Sequence, residues 1–193
     1  RTKMVNHAIG TVEKNLIEGA LIVIFILVLF LGNLRAGLIV ASVIPLSMMF
    51  AIIMMNAFGV SGNLMSLGAL DFGLIVDGAV IIVEAVMHRL YHSRHFETSN
   101  SISQSTMNEE VESAAGKMMN SAVFGQIIIL IVYLPILALV GIEGKMFKPM
   151  AQTVSFALIG AFILSLTYVP MITSLFLSKK IHHRENFSYK MMK

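Results

Sequence analysis

The chain contains no cysteine. Disulfide staples and cysteine-based zinc sites are therefore excluded, and cysteine usage says nothing of the redox compartment. Charge is scarce too. Asp, Glu, Lys and Arg make up 13% of the 193 residues, roughly half the share of an average soluble domain. Such a composition does not build a disordered chain, nor a soluble enzyme of this size. The net charge is only +3, and the basic residues cluster at the ends of apolar blocks, which argues against a nucleic-acid partner. A charged-then-apolar leader with a small-residue cleavage site is also missing. The chain opens on Arg1 rather than Met and reads as the middle of something longer.

What is present is apolar sequence in long runs. Hydrophobic residues are 56% of the chain, and a run of ~20 spans a bilayer as a helix. Five spans are expected, over about 14–34, 36–56, 63–90, 118–142 and 149–178. The fold class is thus an all-α membrane protein, a polytopic bundle of five transmembrane helices in contact with membrane lipid. No residue from Ala36 to Leu70 is charged, and the turn-like stretch from Asn56 to Asn63 divides that run in two. Pro45, Pro135 and Pro170 lie inside spans and predict kinks. Residues 91–117 read as a polar loop. Within it Thr106-Met107-Asn108-Glu109 fits a capping box for a short amphipathic helix that leads into the fourth span. Residues 179–193 form a basic tail. Arg35, Arg89, Arg94, Lys117 and the tail lie on one side, against Arg1, Lys3, Lys14, Lys145 and Lys148 on the other. The positive-inside rule puts the larger set, with loop 91–117 and the C-terminus, in the cytoplasm. The N-terminus and the loop 141–148 then face outside.

The third span holds three acids, Asp71, Asp77 and Glu84. Each charge near a bilayer centre costs ~2.5–3.5 kcal/mol on insertion scales, so such residues line a bundle interior or a wet path and serve ion or proton movement. On a continuous helix Asp77 and Glu84 fall within about 20° of one another and about 10 Å apart along the axis. Asp71 is turned about 120° from Asp77. The acids form a ladder, not the close dyad that an intramembrane aspartyl protease needs. Gly68, Gly73, Gly78 and Ala79 permit close helix packing around the ladder. His88, His92 and His95, at helical spacing, are the candidate metal ligands, although no acid or cysteine completes the set. The 15 methionines read as apolar filler.

The succession Asp71-Phe72-Gly73, Asp77-Gly78-Ala79 and Val83-Glu84 resembles the fourth transmembrane helix of the heavy-metal efflux pumps of the resistance-nodulation-division superfamily. Upstream, Asn15-Leu16-Ile17-Glu18-Gly19-Ala20 is similar to the start of the family's second helix. Ile44-Pro45-Leu46-Ser47 and Asn63-Leu64-Met65-Ser66 are similar to its third and fourth. Tyr133-Leu134-Pro135-Ile136, Gly141-Ile142-Glu143-Gly144 and Pro149-Met150-Ala151 resemble its fifth helix, the loop after it and its sixth. The resemblance implies helices two to six of a twelve-helix transporter, which is not an enzyme. It implies a homotrimer in the bacterial inner membrane, joined to a periplasmic adaptor and an outer-membrane channel. Protons are the coupling ion, a heavy-metal cation is the substrate, and no cofactor is bound. By motif match, Asp71, Asp77 and Glu84 are the relay or cation-path acids. The family's basic relay partner and its periplasmic metal-capture residues lie outside this sequence. An Asp at position 71 is similar to the members that export zinc, cobalt, cadmium or nickel. Ala85 departs from the Asn that those members carry after the Glu. The rival readings are a drug exporter of the same superfamily and a truncated remnant that does not transport.

Overall fold

The computed structural model describes residues 2–60, 71–92 and 103–177, with side chains from Gly10 onward except at residues 12, 13, 15, 91 and 92. Helix α1 spans Thr2–Leu31. It stops because Gly32 adopts the left-handed region at φ 60, with its N–H on the Val28 carbonyl at 3.0 Å. Only glycine enters that region without a Cβ penalty. The next residue restarts the chain as helix. Asn33 Oδ1 accepts from the N–H groups of Arg35 and Ala36, at 3.0 and 3.4 Å, and so caps α2, Leu34–Ala41.

A break at Ser42 separates α2 from α3, Val43–Ala57. Pro45 explains it. Its ring nitrogen has no hydrogen for the Ala41 carbonyl one turn earlier, so a single helix gives way to two that together make one 24-residue membrane-length segment. The Ser42 hydroxyl covers the break, donating to the Ile39 carbonyl at 2.6 Å and lying 3.1 Å from the Tyr168 hydroxyl. α3 ends at Ala57, where Phe58 N–H reaches back to the Met54 carbonyl at 2.9 Å and Gly59 has φ 64.

Helix α4 is Phe72–His92 and α5 is Gln104–Leu137. The expected capping box is not used. Ser103 is the N-cap, and Thr106 is inside the helix, giving its N–H to Ser103 Oγ at 3.3 Å. A cap three residues upstream lets 104–137 run as one helix, so the polar stretch before the fourth expected span joins the apolar stretch without a break. The last helix, α6, is Gly141–Phe176 and begins within the expected outside loop. Gly141 at φ 75 turns the chain, and Glu143 places negative charge in the first turn, where the helix dipole favours it. Pro149 and Pro170 are carried inside α6.

α6 is the hub. It packs on α3, α4 and α5, and α4 packs on α5 as well. Its inner face is small and alternates by helical spacing through Val154, Ala157, Leu158, Ala161, Ser165 and Val169, all buried. Small residues let helix backbones approach closely where lipid supplies no hydrophobic drive between helices. The outer faces are apolar and uncovered, as at Phe25 and Leu29 of α1 and Phe124, Ile128 and Ile131 of α5. Three segments, Leu34–Ala57, Gln104–Leu137 and Gly141–Phe176, are long and apolar enough to cross a membrane. The chain is an all-α membrane protein, and among the described residues there is no strand.

Candidate acidic relay on α4

The period of α4 sorts its side chains cleanly. Ile75, Val76, Ala79, Ile82, Val83 and Val86 are buried against the rest of the bundle. Asp77, Glu84 and His88 are exposed and recur on one opposite face, which Leu74 and Ile81 share. At ~1.5 Å per residue Asp77 and Glu84 are about 10 Å apart along this face. The two acids therefore share a face of α4 that the described residues leave open.

Asp71 is placed differently from the sequence expectation. It does not lie on a helix continuous with Asp77, because α4 begins at Phe72. Its Oδ1 accepts the Gly73 N–H at 2.9 Å, and its carbonyl accepts the Ile75 N–H at 3.4 Å, so it closes the first turn of α4. A short carboxylate side chain just before an apolar helix finds unpaired N–H groups in front of it, and that competes with a place in the helix itself.

The three glycines fare unequally. Gly68 lies outside the described residues. Gly73 sits in the cap, where a Cβ would come 3.1 Å from Asp71 Oδ1. Gly78 is buried at the crossing of α4 with α5 and α6. A Cβ there would lie 3.0 Å from Gln126 Nε2 and 3.1 Å from Ser165 Oγ. Of the histidines, His88 is on the exposed face, only the backbone of His92 is described, and His95 lies outside the described residues. Among the described residues no group of three or more His, Asp or Glu could hold a metal ion.

Sequence reasoning missed two features. Arg89 Nε pairs with Glu110 Oε2, tying the far end of α4 to the start of α5. The partners are far apart in sequence, and no local pattern joins them. Gln126 was hidden inside a run that is charge-free but not free of polar groups. A scan for uncharged polar residues within spans would have found it.

A sequence profile of the AcrB/AcrD/AcrF family matches residues 1–193. The chain is 53% identical, over 186 residues, to the cobalt-zinc-cadmium resistance protein CzcA of Cupriavidus metallidurans, covering 96% of this chain and 17% of that protein. It is 51% identical, over 185 residues, to the nickel and cobalt resistance protein CnrA of the same species, with the same two shares, 96% and 17%. The chain therefore spans about 17% of the length of these curated relatives. A crystal structure of a heavy metal efflux pump superposes with a TM-score of 0.76 at 39% identity, over 91% of this chain and 16% of that one.

Proposed function

This chain belongs to the AcrB/AcrD/AcrF family, within the heavy-metal efflux group of the resistance-nodulation-division transporters, and from that premise we propose that it serves proton-driven export of divalent heavy-metal cations. The observation that carries the reading is the placement of Asp77 and Glu84 on one open face of α4. The names of the relatives, with cobalt, zinc, cadmium and nickel in them, support the ion class.

In this reading the complete protein crosses the bacterial inner membrane, with the N-terminus of this segment periplasmic and its C-terminus cytoplasmic. The protein works as a homotrimer with a periplasmic adaptor and an outer-membrane channel. Five spans, the third built on α4, form this part of it. The open face of α4 meets the remainder of the transporter across a wet path. A proton arriving on Asp77 cancels a charge that otherwise demands water. The neutral side chain tolerates a drier packing, and α4 shifts with it. Glu84, further along the same face, is the next carrier. Asp71 caps the helix that carries both acids. His88 stays outside the relay, and the metal is cargo taken up elsewhere in the protein.

The test is metal tolerance of a metal-sensitive bacterium that carries the complete gene, as wild type and as Asp77→Asn. Wild type should raise tolerance to zinc, cobalt or cadmium, and Asp77→Asn at equal expression should lose it. Tolerance unchanged by Asp77→Asn would overturn the relay. Tolerance to organic drugs in place of metals would return the protein to the drug-exporting branch.

A further inference from the structure

Gln126 lies where α4, α5 and α6 meet. It is 2% exposed, and neither its Nε2 nor its Oε1 has a hydrogen-bond partner among the described residues. An amide stripped of water and left unpaired costs stability in any apolar surrounding, and more in a bilayer core, where no solvent substitutes. A residue kept only for packing would be apolar here.

Two groups flank the amide. The Cα of Gly78, one residue beyond Asp77, presents its bare face to both Gln126 Nε2 and Ser165 Oγ, the two atoms nearest the point a Cβ would occupy. Ser165 Oγ donates to the Phe162 carbonyl at 2.8 Å, and its lone pairs remain able to accept. An N–H donor on α5 and a hydroxyl acceptor on α6 thus both lie against the bare face of Gly78. They are unjoined in this packing.

We infer that Gln126 is a positioning residue of the proton relay, whose amide closes on the Ser165 hydroxyl when α4 withdraws and reopens when Gly78 packs back against both. The inference rests on Asp77 being the proton carrier of the proposed function. Its physical basis is bistability. A relay that moves a helix needs two packings close in free energy. The packing seen here favours α4 contact and leaves the amide unpaired. The other loses contact at Gly78 and gains a buried hydrogen bond. Protonation of Asp77 then decides between them, because it acts on the same turn of α4.

The experiment uses the full-length transporter in proteoliposomes, with Zn²⁺ as the transported probe. Gln126→Met keeps the volume and removes the amide. Its kcat should fall about tenfold with KM held within about twofold, while the purified protein melts at the same or a higher temperature. Ser165→Ala should lower kcat likewise, and the double variant should be no slower than the slower single one, because both remove the same bond. The inference is overturned by wild-type kcat in Gln126→Met, by kcat and melting temperature falling together, or by losses that multiply in the double variant. Should Gln126→Met fail to accumulate, Ser165→Ala carries the same comparison of kcat against melting temperature. Asp77→Asn is measured beside them. If it still transports, the relay itself falls. If it is inactive while Gln126→Met runs at full rate, the relay stands and only the role of Gln126 falls.

Discussion

Gly160 and Gly116 occupy helix interiors, and the same substitution should move them in opposite directions. A Cβ on Gly160 of α6 would sit 2.7 Å from Cδ1, 2.9 Å from Cγ and 3.0 Å from Cβ of Phe50 on α3. The near end of that side chain cannot swing aside without moving its backbone. Gly160→Ala should therefore cost about 1–3 kcal/mol, the range for overpacking. At Gly116 of α5, which is exposed, nothing lies within 4 Å of the added atom. Gly116→Ala should stabilise by about 0.5–1 kcal/mol, because alanine loses less backbone freedom in a helix. Thermal unfolding of the two purified variants checks both signs. A shift of both in one direction would show that local space does not govern either position. Asp77 and Glu84 were legible at this scale, since a seven-residue spacing fixes a shared helix face whatever the bundle does. The cap at Asp71 was not, because a hydrogen bond between a side chain and the backbone two residues on competes with helix continuation at little cost either way.

The elements were legible as apolar runs, and their joints were legible only in part. The turn after Ala57 was announced by Asn56 and Gly59, and the break at Ser42 by Pro45. The start of α5 was displaced to Ser103, because two hydroxyl residues three apart compete for one cap. Gly141 was read as loop, yet a positive-φ glycine followed by an acid opens α6 as well as it closes a turn. What no run could announce is how α4 is tied to α5. The Arg89–Glu110 pair does this where α4 ends and α5 begins, with side chains 34% and 15% exposed. Such a pair lies between the ~0.5 kcal/mol of an exposed ion pair and the ~3 kcal/mol of a shielded charged hydrogen bond. Arg89→Met and Glu110→Gln, singly and together, should give a coupling of about 1–2 kcal/mol in a double-mutant cycle on thermal unfolding. Additive losses would mean that the two side chains meet without holding the helices.

Over the whole molecule, two kinds of uncovered surface have to be told apart. Phe124, Ile128 and Ile131 on α5 are uncovered and wholly apolar, as a face that meets lipid must be. The open face of α4 mixes Leu74 and Ile81 with Asp77, Glu84 and His88, and charge of that density is expelled from lipid. It needs either protein or water against it. The absence of cysteine from this segment makes the distinction measurable. In a full-length transporter cleared of other cysteines, Ile81→Cys and Phe124→Cys each introduce one thiol. The cysteine thiolate attacks a thiosulfonate, expelling sulfinate, and that thiolate forms where water reaches the sulfur and not in hydrocarbon. If the α4 face borders a wet proton path, a small cationic thiosulfonate should modify Ile81→Cys and block transport, because the adduct sits between Asp77 and Glu84. Phe124→Cys should stay unmodified over the same exposure. Equal inertness of the two thiols would mean that the acids are sealed in a dry interface, where a proton could reach Asp77 only during a large opening of the bundle.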